Sequence, residues 1–199
     1  EEFLRDTHRP MAAVRFQAGL DAQGYPVALE AISICEGPTE GIAGKHGSKL
    51  DPTAVEGLAG KSYAIPNVRI AQIYKKGPVK LGYWRSVGNS MNDFLNECFL
   101  DEIADHSKLD PFALRLHLLQ GNERLTTLLN AVAELSGGWQ AGPYTAAAGT
   151  RRARGVAMAS PFGTEAAAIA EVSIEHGQVT VHQICEAIDP GSIVTPAIV

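Results

Sequence analysis

The residues best suited to contact a ligand form one short turn, Trp84-Arg85-Ser86-Val87-Gly88-Asn89-Ser90. The turn joins an extended stretch to a segment with helical spacing, and its small side chains let backbone amides approach a bound group. The N-terminus of the following helix favours anions, and Arg85 adds a fixed positive charge. The residues alone leave two interpretations open, a contact for an anion or cofactor and an ordinary turn.

Other patterns that could do chemistry are incomplete. Residues 57–62 resemble a phosphate-binding loop ending in Lys61 and Ser62, but the motif requires glycine where Val55 stands, and Pro66 interrupts the helix that must follow. Residues 88–92 lack the closing glycine of a serine-nucleophile elbow. The six histidines show no metal-ligand spacing, so we interpret them as surface or hydrogen-bonded residues.

One carboxylate falls beside an apolar stripe. Glu97 precedes Cys98 and Phe99, so it requires a hydrogen-bond partner or a raised pKa. We favour a structural anchor for Glu97 over a catalytic role, and both interpretations stay open. Asp101 and Glu102 point about 100° apart on a helix and cannot share a proton.

The first half of the chain has the pattern of a β-hairpin followed by breakers. Alternating residues 14–20 and 27–32 flank turn chemistry at 21–26, which predicts an antiparallel hairpin. Glycines and prolines in residues 36–53 predict a long irregular loop, and residues 68–73 predict another extended stretch.

The spacing then becomes helical. A first helix is predicted with an inward apolar stripe of Phe94, Leu95, Cys98, Phe99 and Ile103, and with outward Asp93, Asp101 and Asp105. Asp110 and Pro111 predict the start of a second helix. Leucines from Leu125 onward predict a third, closed by Gly137 and Gly138.

Strand patterns return after residue 150. Residues 168–174 and 179–184 predict a hairpin, and we interpret the basic cluster at residues 151–154 as a solvated loop. The fold class is therefore α+β, with antiparallel β-hairpins flanking a central group of about three helices. The expected parts are a β-rich part with the irregular loop (1–88), a helical part (89–137) and a β-hairpin part (151–199).

Composition excludes several classes. The chain has 199 residues, 45% hydrophobic and 20% charged, with a formal net charge of −5, which excludes collagen-like, disordered and disulfide-scaffold proteins. Without a basic stripe the charge argues against nucleic-acid binding.

No apolar run predicts membrane insertion and no targeting segment is present, so cytoplasm and periplasm both stay open. Cys35, Cys98 and Cys185 are expected as buried thiols.

The two ends of the chain are unusual. It begins at Glu1 without methionine and finishes on the apolar Ile198 and Val199, whereas termini are usually polar. We expect an internal fragment of a larger polypeptide.

Around the turn, the sequence resembles the molybdopterin-binding large subunit of the xanthine oxidase family of molybdenum hydroxylases. It is most similar to isoquinoline 1-oxidoreductase β-subunits and related aldehyde dehydrogenases. The resembling segments are residues 51–57, 63–69, 82–90, 96–104, 110–115, 154–157, 170–173 and 188–191. The likeness covers most of the chain and is fairly specific over residues 63–115.

The resemblance implies a hydroxylase that uses a molybdenum–pterin cofactor to transfer water-derived oxygen to an electron-poor carbon of an N-heterocyclic aromatic or an aldehyde. It implies cofactor contacts at Arg85, Ser86 and Gly88, and a substrate-pocket position at Val87, where xanthine-type members carry phenylalanine. It assigns no catalytic residue and no metal ligand to this chain. The glutamate base and the main cofactor loop are expected outside it.

The resemblance further implies a small iron–sulfur subunit as partner of the full-length enzyme. The fragment alone is expected to hold no cofactor and to be inactive. The alternative is a non-catalytic interaction module, in which the loop at residues 36–53 contacts a partner subunit and the Arg85 turn is only structural.

Overall fold

The computed structural model describes residues 6–44, 50–147 and 149–198. The expectations about Glu1, Val199 and part of the 36–53 loop, including His46, lie outside these residues. The chain divides into two compact units, the first of residues 1–61 and 65–103, the second of residues 62–64 and 104–199.

A three-stranded sheet forms the first unit's framework, with strands β1 (Ala12–Leu20), β2 (Pro26–Cys35) and β3 (Asn67–Tyr74) in that order. Strands β1 and β2 pair antiparallel, which confirms the predicted hairpin, and Asp21 Oδ1 accepts the amides of Gln23 and Tyr25 in its turn. The extended stretch is also confirmed as β3, but it pairs parallel to β2. On the central strand the small residues Ala31, Ser33 and Cys35 face inward.

The prediction of an irregular loop over residues 36–53 is wrong in part, because two short helices form there, α1 (Pro38–Ala43) and α2 (Pro52–Val55). Each begins with proline in its first turn, where the missing amide hydrogen costs nothing. Asp51 caps α2 by accepting the Thr53 amide at 2.9 Å, and Glu40 of α1 accepts the Gly37 amide. The two helices were not predicted because these prolines were interpreted only as residues that interrupt regular structure.

Helix α3 (Asn89–Ser107) is present as predicted, but its inward face is wrong. Phe94 is 68% exposed and Cys98 is exposed as well, whereas Asp93 is buried. Several polar residues of the helix are buried instead, namely Asn89, Asn92, Asp93, Asn96 and Glu97. Hydrogen bonds of Asn92 and an ion pair of Asp93 hold this polar face inward. Of the expected stripe, Ile103 is buried and Phe99 stacks on Phe16 at 4.7 Å.

The second unit packs helices against a four-stranded sheet. Helix α4 (Pro111–Leu118) begins after its predicted cap, Asp110, which accepts the amides of Phe112 and Ala113. Helix α5 (Glu123–Leu135) follows, and strands β4 (Tyr144–Thr145), β5 (Arg151–Ala159), β6 (Glu165–Glu175) and β7 (Gln178–Asp189) pair antiparallel in sequence order. The predicted helices and hairpin are therefore confirmed. The core joins one face of α5 to the sheet through Leu125, Leu128, Leu129, Val132, Val156, Met158, Ala167, Ile169 and Cys185.

The solvated-loop prediction for residues 151–154 is wrong, because these residues form the start of β5. Arg152 and Arg154 alternate with Ala153, so both reach Glu171 on the neighbouring strand, at 2.6 and 3.0 Å. Tyr144 also donates its hydroxyl to Glu171. These hydrogen bonds, first that of Tyr144 and then those of the two arginines, lower the pKa of Glu171 to about 2.

The three cysteines are free thiols, and Cys35 and Cys185 are buried as predicted. Cys98 is the exception, because the rotation of α3 turns it outward. Within the described residues, no helix has the length and apolar character needed to cross a bilayer.

Replacing Leu129 with alanine tests the second unit's core. Leu129 is fully buried between α5 and the sheet, so Leu129→Ala is expected to lower the free energy of unfolding by about 2–5 kcal/mol. Leu135→Ala, on the same helix but 60% exposed, is the matched control and should change it little. Urea unfolding of the full chain measures both, and equal effects would contradict this packing.

Glu171 predicts an acid-dependent stability. Its pKa in the folded state is below the ordinary value of 4.5, so its stabilisation is complete above that pH and is lost as the pH falls toward 2. Glu171→Gln should therefore destabilise the chain at neutral pH, with a deficit that shrinks between pH 5 and pH 2. Glu175→Gln, at the exposed end of the same strand, is the control. A deficit that stays constant with pH would rule out the network as its source.

Candidate functional site

The turn at residues 85–88 leads directly into α3. Arg85 is exposed, Ser86 and Val87 are half-buried and Gly88 is buried. In the described part of the chain, no ion pair involves the Arg85 guanidinium. The turn thus presents a cation to its surroundings while its last residue is enclosed by protein.

Two consecutive residues of the turn have left-handed backbone conformations. Ser86 has φ 68° and Val87 has φ 49°, and such a value is unusual for a β-branched residue. Each strained residue costs on the order of 1–3 kcal/mol and persists only where the surrounding structure holds it. The Val87 amide donates to the Trp84 carbonyl at 2.9 Å, and the Asn89 amide to the Ser86 carbonyl at 3.0 Å.

Gly88 fixes the end of the turn against α2 and Glu56, the residue that follows this helix. A Cβ atom at this position would lie 2.3 Å from the carbonyl oxygen of Thr53 and 3.1 Å from Cβ of Glu56. The Gly88 amide also donates to the Glu56 carboxylate at 3.2 Å. Glycine is therefore required here by close backbone approach.

Asn92, one turn into α3, holds the same segment from the helix side. Its side-chain nitrogen donates to the carbonyls of Ala54 at 3.0 Å and Glu56 at 2.7 Å. The side chain is fully buried, and its Oδ1 accepts no hydrogen bond from the described residues. We call the contacts of Gly88 and Asn92 with residues 53–56 the clamp.

Glu56 and Asn92 were not among the candidate residues predicted from the sequence. A signal was present, because asparagine and acidic residues recur on α3 at spacings of three and four from Asn89 to Glu97. Such a polar stripe at helical spacing marks a face as clearly as an apolar one does.

Lys61 and Asp93 form a second attachment of α3. The lysine of the incomplete phosphate-binding loop forms an ion pair with Asp93, and both side chains are largely buried. Burial raises the pKa of Asp93, and the nearby Lys61 opposes that effect only in part. Gly57, with φ 85°, leaves room for this pair, since a Cβ atom there would lie 2.9 Å from the Asp93 carboxylate. Lys61 is thus committed to holding the helix.

The exposed side of the turn suits oxygen atoms that carry negative charge. The amide hydrogens of Arg85 and Ser86 enter no hydrogen bond with the described residues, and the side chain of Arg85 is exposed. Arginine and consecutive free amides are typical donors to oxyanions. Among the described residues, no group of three His, Cys, Asp or Glu side chains could hold a metal ion. The site therefore offers donors for an anionic cofactor.

The remaining sequence candidates lie elsewhere. Ser90 donates its hydroxyl to the Val87 carbonyl at 2.9 Å, which stabilises the turn. Glu97 is buried on α3, and Asp101 and Glu102 are exposed on the same helix. His182 in the second unit hydrogen-bonds Ser173 at 2.8 Å.

Comparison with known proteins adds three findings. The molybdopterin cofactor-binding domain family matches residues 1–119, which include the turn, the clamp and α3. The aldehyde oxidoreductase from Desulfovibrio desulfuricans is similar over 87% of this chain, with a TM-score of 0.54 and 18% identity. The aldehyde oxidoreductase from Desulfovibrio gigas, activated with sodium dithionite and sodium sulfide, is similar over 87%, with a TM-score of 0.49 and 17% identity.

In both cases the similar region is 21% of the oxidoreductase chain, so this chain spans about a fifth of the length of these proteins. At such identity the likeness to the Desulfovibrio desulfuricans enzyme shows the fold alone, and it confirms the α+β class. A search of the curated proteins gave no match.

Gly88→Ala tests the clamp. The added methyl group would overlap the Thr53 carbonyl, so we expect a loss of about 1–3 kcal/mol in the free energy of unfolding. Hydrogen exchange should also become faster at residues 84–92. Gly155→Ala is the matched control, because nothing lies within 4 Å of a Cβ atom there. A Gly88→Ala protein with unchanged stability and exchange would show that the close approach is absent.

Proposed function

Because this chain belongs to the molybdopterin cofactor-binding domain family, we propose that it forms one wall of the cofactor site in a molybdenum hydroxylase. In this proposal Arg85, Ser86 and Gly88 contact the molybdenum–pterin cofactor, and Val87 faces the substrate. The whole enzyme's activity, substrates and partners belong to the proposal, since the chain spans about a fifth of the similar oxidoreductases.

The clamped turn is the observation that carries the proposal. A ligand site requires donors that keep their positions without the ligand, because ordering them on binding costs free energy. Gly88 and Asn92 attach the C-terminal side of the turn, where α3 begins, to residues 53–56. The amides of Arg85 and Ser86 stay available, and the side chain of Arg85 is exposed.

The roles follow from these positions. When bound, the molybdenum–pterin cofactor supplies two-electron oxidation and the transfer of water-derived oxygen to carbon. Arg85 neutralises and orients anionic oxygen atoms, and Ser86 contributes an amide and a hydroxyl. Gly88 lets the backbone of the turn approach the Thr53 carbonyl closely, which a side chain would prevent.

The substrate class in this proposal is an N-heterocyclic aromatic or an aldehyde, with isoquinoline 1-oxidoreductases and aldehyde dehydrogenases as the nearest functional types. Val87 is aliphatic and offers no ring for stacking against a purine. The glutamate base and the main cofactor loop belong to other parts of the enzyme, so this chain alone should be inactive. A small iron–sulfur subunit would remove the electrons.

Arg85→Ala in the assembled enzyme that contains this chain tests the role of Arg85. Loss of a charged hydrogen bond costs about 1.5–3 kcal/mol, so cofactor affinity or turnover should fall about 10- to 100-fold. Arg85→Lys keeps the charge but not the planar fork, and should lie between wild type and Arg85→Ala. The measurements are molybdenum content and dye reduction with heterocycles and aldehydes.

Arg15→Ala is the control for Arg85→Ala, because Arg15 is an exposed arginine on β1, 66% exposed. Arg15→Ala should leave the molybdenum content and the rate of dye reduction unchanged. Wild-type molybdenum content and turnover in Arg85→Ala would refute the assigned role and favour the interaction module.

A further inference from the structure

An apolar cleft of about 650 Å³ lies in the first unit, beside the Arg85 turn but outside the contacts assigned above. Its walls are residues 9–12, Trp84 and the first two turns of α3. The N-terminal wall is held in place, because the His8 amide donates to the Lys80 carbonyl and the Gly82 amide to the His8 carbonyl, both at 3.0 Å. The volume is in the range of about 300–1,000 Å³ typical of small-molecule sites.

The lining of the cleft is suited to a flat ring. Trp84 and Phe94 are 58% and 68% exposed, and Met11 is 74% exposed. Met91 and Leu95 complete the apolar surface. Clusters of exposed large apolar residues mark binding surfaces. Aromatic rings and methionine sulfur favour aromatic ligands through stacking and sulfur contacts.

The charge of the cleft points to an anionic substituent. Among the residues that the structure describes, Arg9 is the single charged residue in its lining and no carboxylate lines it, although the chain carries a formal net charge of −5. Arg9 is exposed and forms no ion pair with any described residue. An apolar cleft with one available guanidinium is complementary to a ring that bears a carboxylate.

We propose that this cleft binds a planar aromatic carboxylate. The ring lies against Trp84 and Phe94, and the carboxylate accepts hydrogen bonds from Arg9. Binding requires neither the molybdenum–pterin cofactor nor Arg85, so the site goes beyond the proposed function. It gives the chain a means of selecting small aromatic acids next to the turn.

Tryptophan fluorescence tests the site directly, with 2-naphthoate as the probe. The chain has two tryptophans, and Trp139 lies in the second unit, stacked on Phe112. Trp139→Phe therefore leaves Trp84 as the reporter. We expect saturable quenching by 2-naphthoate, and affinity for the neutral 2-naphthamide that is about tenfold weaker. Calorimetric titration of the wild-type chain gives the same comparison without the tryptophan replacement.

Three variants identify the contacts. Arg9→Gln should abolish the preference for naphthoate over naphthamide, and Phe94→Ser should weaken both ligands about tenfold through lost ring contact. Both side chains are exposed, so the fold should tolerate these changes. Arg15→Gln, on β1, is the matched control and should bind both ligands as the wild type does.

Equal affinity for the two ligands, an unchanged preference in Arg9→Gln, or no saturation in calorimetry would each overturn the proposal. Analytical sedimentation of the chain tests the alternative occupant, a second copy of the chain. A dimer that dissociates in Phe94→Ser would show that a second copy fills the cleft, and would overturn it too. Molybdenum content in the Arg9→Gln enzyme separates the two proposals, because it should stay at the wild-type level whatever the cleft binds.

Discussion

The side chain of Asn92 holds the region that presents the Arg85 turn. Its two hydrogen bonds reach the carbonyls of Ala54 and Glu56, and the Glu56 carboxylate in turn accepts the Gly88 amide. Asn92 is fully buried, and its hydrogen bond to the Ala54 carbonyl is buried as well. A buried carbonyl left without a donor costs about 1–3 kcal/mol. The segment at residues 53–56 and the start of α3 are therefore held together, because each supplies the hydrogen-bond partners of the other.

The other features of the first unit follow from this constraint. The strained conformations of Ser86 and Val87 persist because the turn is fixed where it ends, at Gly88 and Asn92. Attaching the polar face of α3 inward, with help from the Lys61–Asp93 pair, turns Phe94 to the outside. The same rotation that supports the Arg85 turn thus produces the aromatic wall of the cleft. The inward face of α3 supports the turn, and its exposed face lines the cleft.

The sequence was informative wherever one local rule decided the outcome. The hairpin of β1 and β2, the cap at Asp110 and the leucine face of α5 all follow from short-range patterns. The face of α3 could not be predicted from its apolar spacing, because the partners of Asn92 lie more than 35 residues away in the chain. Likewise, the sequence near Arg152 and Arg154 indicates only solvated charges. Their partner Glu171 comes close to them because β6 pairs with β5.

The two short helices show a related limit. Proline and glycine indicate where regular structure is interrupted, but Pro38 and Pro52 occupy first helical turns that they favour. Whether such a residue ends or begins an element depends on its cap. For α2 that cap is Asp51. Its carboxylate also accepts a hydrogen bond of 3.1 Å from the amide of Glu40, which lies in α1. The family resemblance identified the turn, and the structure shows how it is held.

The most direct test of the account is a crystal structure of the molybdenum-loaded enzyme that contains this chain. We predict the Arg85 guanidinium, or the amides of Arg85 and Ser86, within hydrogen-bond distance of the cofactor or its oxygen atoms, with the clamp as described here. A turn separated from the cofactor by other protein segments, or a clamp in which Asn92 no longer contacts Ala54 and Glu56, would contradict it.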